Sequence, residues 1–379
     1  MTTLDTPYAG TRTIYDADAH VMETGDWLVD YIDPAMRERV VNQIPFTNAE
    51  AAALAEQRAD DTDKRGRAEG RLMAQAYKSH GAWNAGERSR TLDLLGFSGQ
   101  LVFPTFATGP FAFTSDDDFR YAGARAYNRA IVDWCSADAR LHAVAYVPFH
   151  DPERAAVELD AALAAGCKAI LVHSHAVGGR APSHPDLDAL WARLADANVP
   201  FVLHIGTGGP LLPEGFRNNG KPVPPDIHGG GENIRSKDYV GIHHWPETFL
   251  SVMAMDGVFA RHPGLRGASI EQGAAWAVTM CQRVDHAQRA FKNEPDLRSL
   301  PDAPSEYLRG QVKYAPFPGE DVGWIVDNLG PETVLFSTDY PHNEGGRDPI
   351  AKFDATMTGM SDDDIDRFYR RNYLELLGL

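Results

Sequence analysis

The chain has 379 residues, 43% of them hydrophobic and 23% charged, with a formal net charge of −17. This is the composition of an ordinary globular protein, and its acidic balance argues against a nucleic-acid partner, which would need a basic face. An anionic small-molecule substrate stays open, because a bound metal can reverse the sign of the local field. Cys135, Cys167 and Cys281 are widely spaced and form no CxxC pair, so neither a disulfide framework nor a thiolate zinc site is expected. The opening "MTTLDTPYAGTR" lacks a basic and an apolar region, and no apolar run reaches roughly 18 residues. The sequence reads as cytoplasmic, with no membrane partner.

In chain order, "TIYDADAHVMETGDW" (13–27) opens the pattern. Asp16, Asp18 and His20 recur at every second position of a predicted strand, which aims all three toward one face, with Glu23 just beyond. Acidic groups stacked in this way are costly unless that face meets water or holds a cation. Residues 24–95 then read as a polar, helical insertion. "QLVFPTFA" (100–107) is a predicted buried strand, followed by a helix over 116–139 with an acidic first turn. Further strands are predicted at 141–149, 168–175 and 200–206. Helices separate them, one starting at Pro152.

Residues 207–246 are rich in glycine, proline and histidine and read as a long loop of the kind used as a lid. Their glycines match no phosphate-binding pattern. A helix is predicted from about Pro246 to His262, strands at 265–273, 312–317 and 333–342, and two closing helices, with Asp362 to Asp364 as an N-terminal cap. About eight strand–helix units in one chain predict a single (β/α)₈ barrel over 1–379, carrying the 24–95 insertion and the 207–246 loop over its C-terminal face.

In such a barrel the active site lies at the C-terminal ends of the strands. Those ends hold Asp18 and His20, His204 in "FVLHIG", Glu271 in "ASIEQG", and Asp339 in "FSTDYPH". Each has an ordinary alternative: a turn cap for Asp18, a satisfied core histidine for His204, a turn bond for Asp339. Together they form an oxygen and imidazole donor set suited to a catalytic zinc, manganese, iron or cobalt ion. His243 and His244 begin a helix near the proposed lid, and His173 and His175 follow a strand. Trp245 and Trp276 read as packing residues.

These same residues carry a resemblance. "YDADAH", "FVLHIG", "GVFARHPGLRGASIEQGAAW" and "LFSTDYPH" are similar to the motifs of the ACMSD-like branch of the amidohydrolase superfamily, over residues 13–379. The resemblance implies a metal-dependent barrel enzyme, a hydrolase or non-oxidative decarboxylase of a small organic acid or amide. Asp18, His20, His204 and Asp339 would bind a divalent metal, zinc first, and Asp339 would exchange protons with water or substrate. The decarboxylases carry a histidine in an "AHGG"-like strand where this chain has Glu271. An anion there favours hydrolysis, with Glu271 as general base, and leaves Asp339, Glu271 and His204 as the expected catalytic residues.

With Glu23, Glu271 and His342 added, the donor set would also hold two metals. The resemblance therefore implies an alternative, a component of a dinuclear iron or manganese oxygen-dependent hydroxylase. Such a chain would be either the active subunit or its metal-binding companion. A homo-oligomer, or a hetero-oligomer with a paralogous subunit, follows from the same resemblance.

Overall fold

The computed structural model describes residues 6–41, 43–44, 46–57, 72–73, 76–222 and 235–379. The chain forms two compact units. The first comprises Met1–Pro148, Glu153–Ile170 and Phe336–Ile350, and the second Phe149–Pro152, Leu171–Leu335 and Ala351–Leu379.

In the first unit, β1 (Ile14–Val21) lies parallel to β2 (Phe97–Pro104), which lies parallel to β3 (Leu141–Tyr146). Ile14, Ala17, Ala19 and Val21 of β1 are fully buried, and Asp16, Asp18 and His20 are buried with them. Burial on both sides is the mark of a parallel strand covered by helices. The β1–β2 register shifts between Asp16 and Ala19, so the strict alternation expected for the "DADAH" run is broken inside it. Outside the sheet runs the helix Asp117–Cys135, whose N-cap Asp116 accepts from Asp118 and Phe119 amides. The first-unit segment from Phe336 returns beside β1: Ala17 N–H donates to Phe336 O, and His20 N–H to Tyr340 O. This expected last strand keeps only isolated parallel bridges, Ala19 with Tyr340 being one. Asp339 has φ = 56°, and a left-handed residue interrupts a ladder.

In the second unit, β5 (Phe201–His204) pairs in parallel with β6 (Gly267–Ile270), and β6 with β7 (Val312–Tyr314). The intervening strand β4 (Ala169–Leu171) spans the division between units. Gly267 meets the Phe201 ring, and a Cβ there would lie 2.3 Å from it, so no larger residue fits. Trp191, Phe201 and Phe249 form the aromatic core, with the Trp191 and Phe201 rings 5.4 Å apart at their centroids. The helix expected over 246–262 is two helices, His244–Met255 and Val258–Arg261, separated by Gly257 at φ = 73°. At the C-terminus, Ser361 is the N-cap and accepts from the Asp364 amide, while Asp362, Asp363 and Asp364 occupy the first turn. The cap is thus one residue earlier than expected, because a short hydroxyl reaches the orphan amide.

Among the described residues the architecture is α/β, with every strand pairing parallel. Residues 24–95 include the helices Asn48–Gln57 and Ala85–Leu95 and a short turn at Ala76–Lys78. The expected helical stretch at 58–71 and residues 223–234 of the long loop lie outside the described residues. All three cysteines are free and buried.

Candidate metal centre

In the first unit, β1 delivers Asp18 and His20. The His20 Nδ1 lies 2.9 Å from the Pro104 carbonyl, which can only accept, so Nδ1 carries the hydrogen. That leaves Nε2 as the lone-pair nitrogen. It faces Asp18 Oδ1 at 3.2 Å and Asp339 Oδ1 at 3.5 Å. His342, three residues beyond Asp339, brings Nδ1 to 2.8 Å from the same Asp339 oxygen. One donor atom from each of His20, Asp339 and His342 lies within 4.8 Å of the others, and all three residues are buried. This is the spacing and chemistry of a divalent metal site.

The surroundings hold these donors in place. Asp16 is fully buried and accepts from Gln100 Nε2 (2.9 Å), Thr338 N (2.9 Å) and Thr338 Oγ1 (2.6 Å). It anchors β1 to the 336–342 segment, and burial raises its carboxyl to about 7. Glu23 is also fully buried, with Oε1 accepting from Thr105 N at 3.0 Å and Oε2 from Phe106 N at 2.9 Å. Burial pushes its carboxyl up to about 7 against the pull of those amides. Thr105 went unnoticed in the sequence, where a threonine after a strand carries no signal. Its Oγ1 stands between Val21 O (2.9 Å) and His342 Nε2 (3.0 Å), which joins Glu23 to the donor cluster.

In the second unit, His204 ends β5, with Nδ1 2.9 Å from Ile205 O and Nε2 3.3 Å from Glu271 Oε2. Both residues are buried. Glu271 sits at φ = 53°, and with Asp339 it places two candidate acids in left-handed backbone at strand ends. Such a conformation costs of order 1–3 kcal/mol per non-glycine residue and persists where the surroundings overdetermine it.

His173 and His175 both direct Nδ1 at Thr207 O, at 3.0 and 3.1 Å. Trp245 packs on Gly208 and Gly209, where a Cβ would come within 2.9 and 2.5 Å of its ring. Trp276 donates from Nε1 to Gln272 O and Gly273 O. Both tryptophans therefore have the packing contacts expected of them. His243 lies 3.6 Å from Glu247 Oε2 with its ring over Trp276, and burial holds its pKa below the usual imidazole value.

The first unit thus gathers Asp18, His20, Asp339 and His342, with Glu23 tied to them through Thr105. The second pairs His204 with Glu271.

A family model described as amidohydrolase matches residues 15–379. The decarboxylase orsB of Emericella nidulans is 28% identical over 245 residues, 63% of this chain and 70% of its own length. An amidohydrolase from Mycobacterium avium subsp. paratuberculosis superposes with a TM-score of 0.75 at 25% identity, covering 97% of this chain and 100% of its own. The 5-carboxyvanillate decarboxylase of Novosphingobium aromaticivorans, solved with bound manganese, has a TM-score of 0.68 at 17% identity and full coverage of both chains. The protein is an enzyme of the amidohydrolase family, in its ACMSD-like branch.

Proposed function

We propose that the protein is a metal-dependent, non-oxidative decarboxylase of a small aromatic acid. The buried cluster of His20, Asp339 and His342 carries this reading. Asp18, His20, His204 and Asp339 are the proposed ligand set, with His342, Glu23 and Glu271 beside it as further candidates. The substrate class rests on the decarboxylase relatives, since the site itself specifies only a donor set. A divalent ion held there would act as a Lewis acid toward a substrate oxygen.

The chain's own part is proton handling. In decarboxylation the carbon–carboxyl bond breaks, its electron pair stays on the ring carbon, and the Asp339 carboxyl gives that carbon a proton as carbon dioxide leaves. His342 Nδ1 and His20 Nε2 flank Asp339 Oδ1 at 2.8 and 3.5 Å, so the three donor atoms converge where an ion would sit.

Glu271 supports a second reading, hydrolysis of an amide, because it places a carboxylate 3.3 Å from His204 where it can act as general base. The oxygen-dependent alternative draws no support from the relatives named above. The same proposal takes 1–379 as one family domain, with 24–95 and 207–246 shaping specificity. It also takes the enzyme as a self-associating or paralogue-associating chain.

The test strips the protein with a chelator, reloads it with zinc or manganese, and follows carbon dioxide release from a panel of hydroxybenzoates. Release that returns with metal and is abolished by Asp339→Asn is the expected result. Ammonia release from amides without carbon dioxide would transfer the reading to hydrolysis, and failure to take up either metal would sink both.

A further inference from the structure

Arg88 is fully buried, and among the described residues no carboxylate forms an ion pair with it. Its donors go to neutral acceptors instead: Nε to Gly81 O at 2.8 Å, Nη1 to Gln100 Oε1 at 3.1 Å, and Nη2 to the carbonyl of His20. The guanidinium carbon also lies 4.7 Å from the Tyr340 ring centroid. A buried cation is costly, and a well-packed apolar side chain would serve as a simple support at lower cost. What an apolar side chain lacks is the rigid fork, which fixes several acceptors at defined directions.

The directions matter because of where the contacts lead. Gln100 turns its Nε2 to Asp16 Oδ2 at 2.9 Å, and Asp16 in turn holds both the amide and the hydroxyl of Thr338. The chain of bonds therefore starts at the His20 backbone and ends on the residue preceding Asp339. It ties β1, β2 and the 336–342 segment together directly behind the donor cluster. The backbone is shaped to admit the arginine as well. Gly81 has φ = 64°, and a Cβ there would lie 2.4 Å from Arg88 Cα. Only glycine lets the helix Ala85–Leu95 come so near.

We propose that Arg88 is a positioning residue for the metal centre, setting the spacing of His20 Nε2 and Asp339 Oδ1 through the His20 carbonyl and the Gln100–Asp16–Thr338 chain. The inference rests on the proposed metal site and adds the element that preorganises it. Residues that orient ligands in this way typically govern metal affinity by about ten- to a hundredfold.

The test titrates the metal-stripped full-length chain with manganese(II), reading free ion by its electron paramagnetic resonance signal and bound ion by its linewidth. Gln100→Met keeps the side-chain length but cuts the bridge. Arg88→Lys keeps the charge but supplies a single point donor in place of the fork. Both variants are expected to bind manganese about ten- to a hundredfold more weakly with an altered bound spectrum, while the metal-free Gln100→Met protein melts within a few degrees of wild type. Binding within twofold of wild type in both variants overturns the proposal. A loss in Gln100→Met that Arg88→Lys does not share removes Arg88 from the role. If Arg88→Lys fails to fold, Gln100→Met and Thr338→Val decide, both read against their metal-free melting. A wild-type chain that takes up no metal overturns the functional reading itself, and that control separates the two failures.

Discussion

Asp339 Oδ1 lies 2.8 Å from His342 Nδ1 and 3.5 Å from His20 Nε2, so one carboxylate oxygen is shared by imidazoles from opposite ends of the chain. Thr105, just after β2, completes the arrangement by meeting the far nitrogen of His342 at 3.0 Å. Replacing His342 with Phe should reduce kcat/KM by about ten- to a hundredfold, and Thr105→Val should have a smaller effect in the same direction. Steady-state kinetics on the metal-loaded variants checks this. Equal activity in His342→Phe would show that the site works without the His342 imidazole.

Glu271 and Asp339 are held in left-handed backbone, a conformation that glycine adopts without strain. Glu271→Gly also removes a buried carboxylate. Metal-free Glu271→Gly should therefore melt at or above the wild-type temperature while losing most of its turnover, the trade-off expected of a strained functional residue. Differential scanning calorimetry beside an activity assay measures both. A clear fall in melting temperature would mean that the His204–Glu271 contact stabilises the unit more than the strain costs.

His142 follows the first residue of β3, and burial, with Lys168 adding to it, pushes its pKa down to about 4. The unfolded chain binds a proton near 6.5, so between 6.5 and 4 the unfolded state holds more protons than the folded one. Stability contributed by this group is present above 6.5 and is lost as pH falls toward 4. The loss amounts to roughly 2–3 kcal/mol. Chemical denaturation at pH 7 and pH 4.5 should show His142→Gln losing less stability on acidification than wild type. Identical slopes would place the acid sensitivity elsewhere.

Gly267 has no room for a methyl group against Phe201. Gly267→Ala should destabilise the second unit by about 1–3 kcal/mol, the usual cost of overpacking a core. A two-probe thermal melt would detect this as a lowered transition, and a truncated ring in Gly267→Ala/Phe201→Leu should restore part of it.

Much of the candidate site was legible in the sequence because its signals are local. "DADAH" and "STDYPH" place donors within a few residues of one another, and alternating apolar strands and amphipathic helices announce a parallel α/β fold without any long-range information. Fine placement was not local. Asp16 anchors β1 through Gln100 and Thr338, and nothing in residues 13–27 names those partners. Glu23 stood open between a second ion and a supporting role, and its oxygens meet amides more than eighty positions away. Thr105, Gln100 and Arg88 carried no motif, because a hydroxyl, an amide and a buried guanidinium acquire meaning only from partners that folding brings to them. Residue type and short-range period settled which groups were available for chemistry and which strands would carry them. Tertiary packing decided which of those groups meet, since hydrogen-bond partners, burial and left-handed backbone at Glu271 and Asp339 are properties of neighbours remote in the chain.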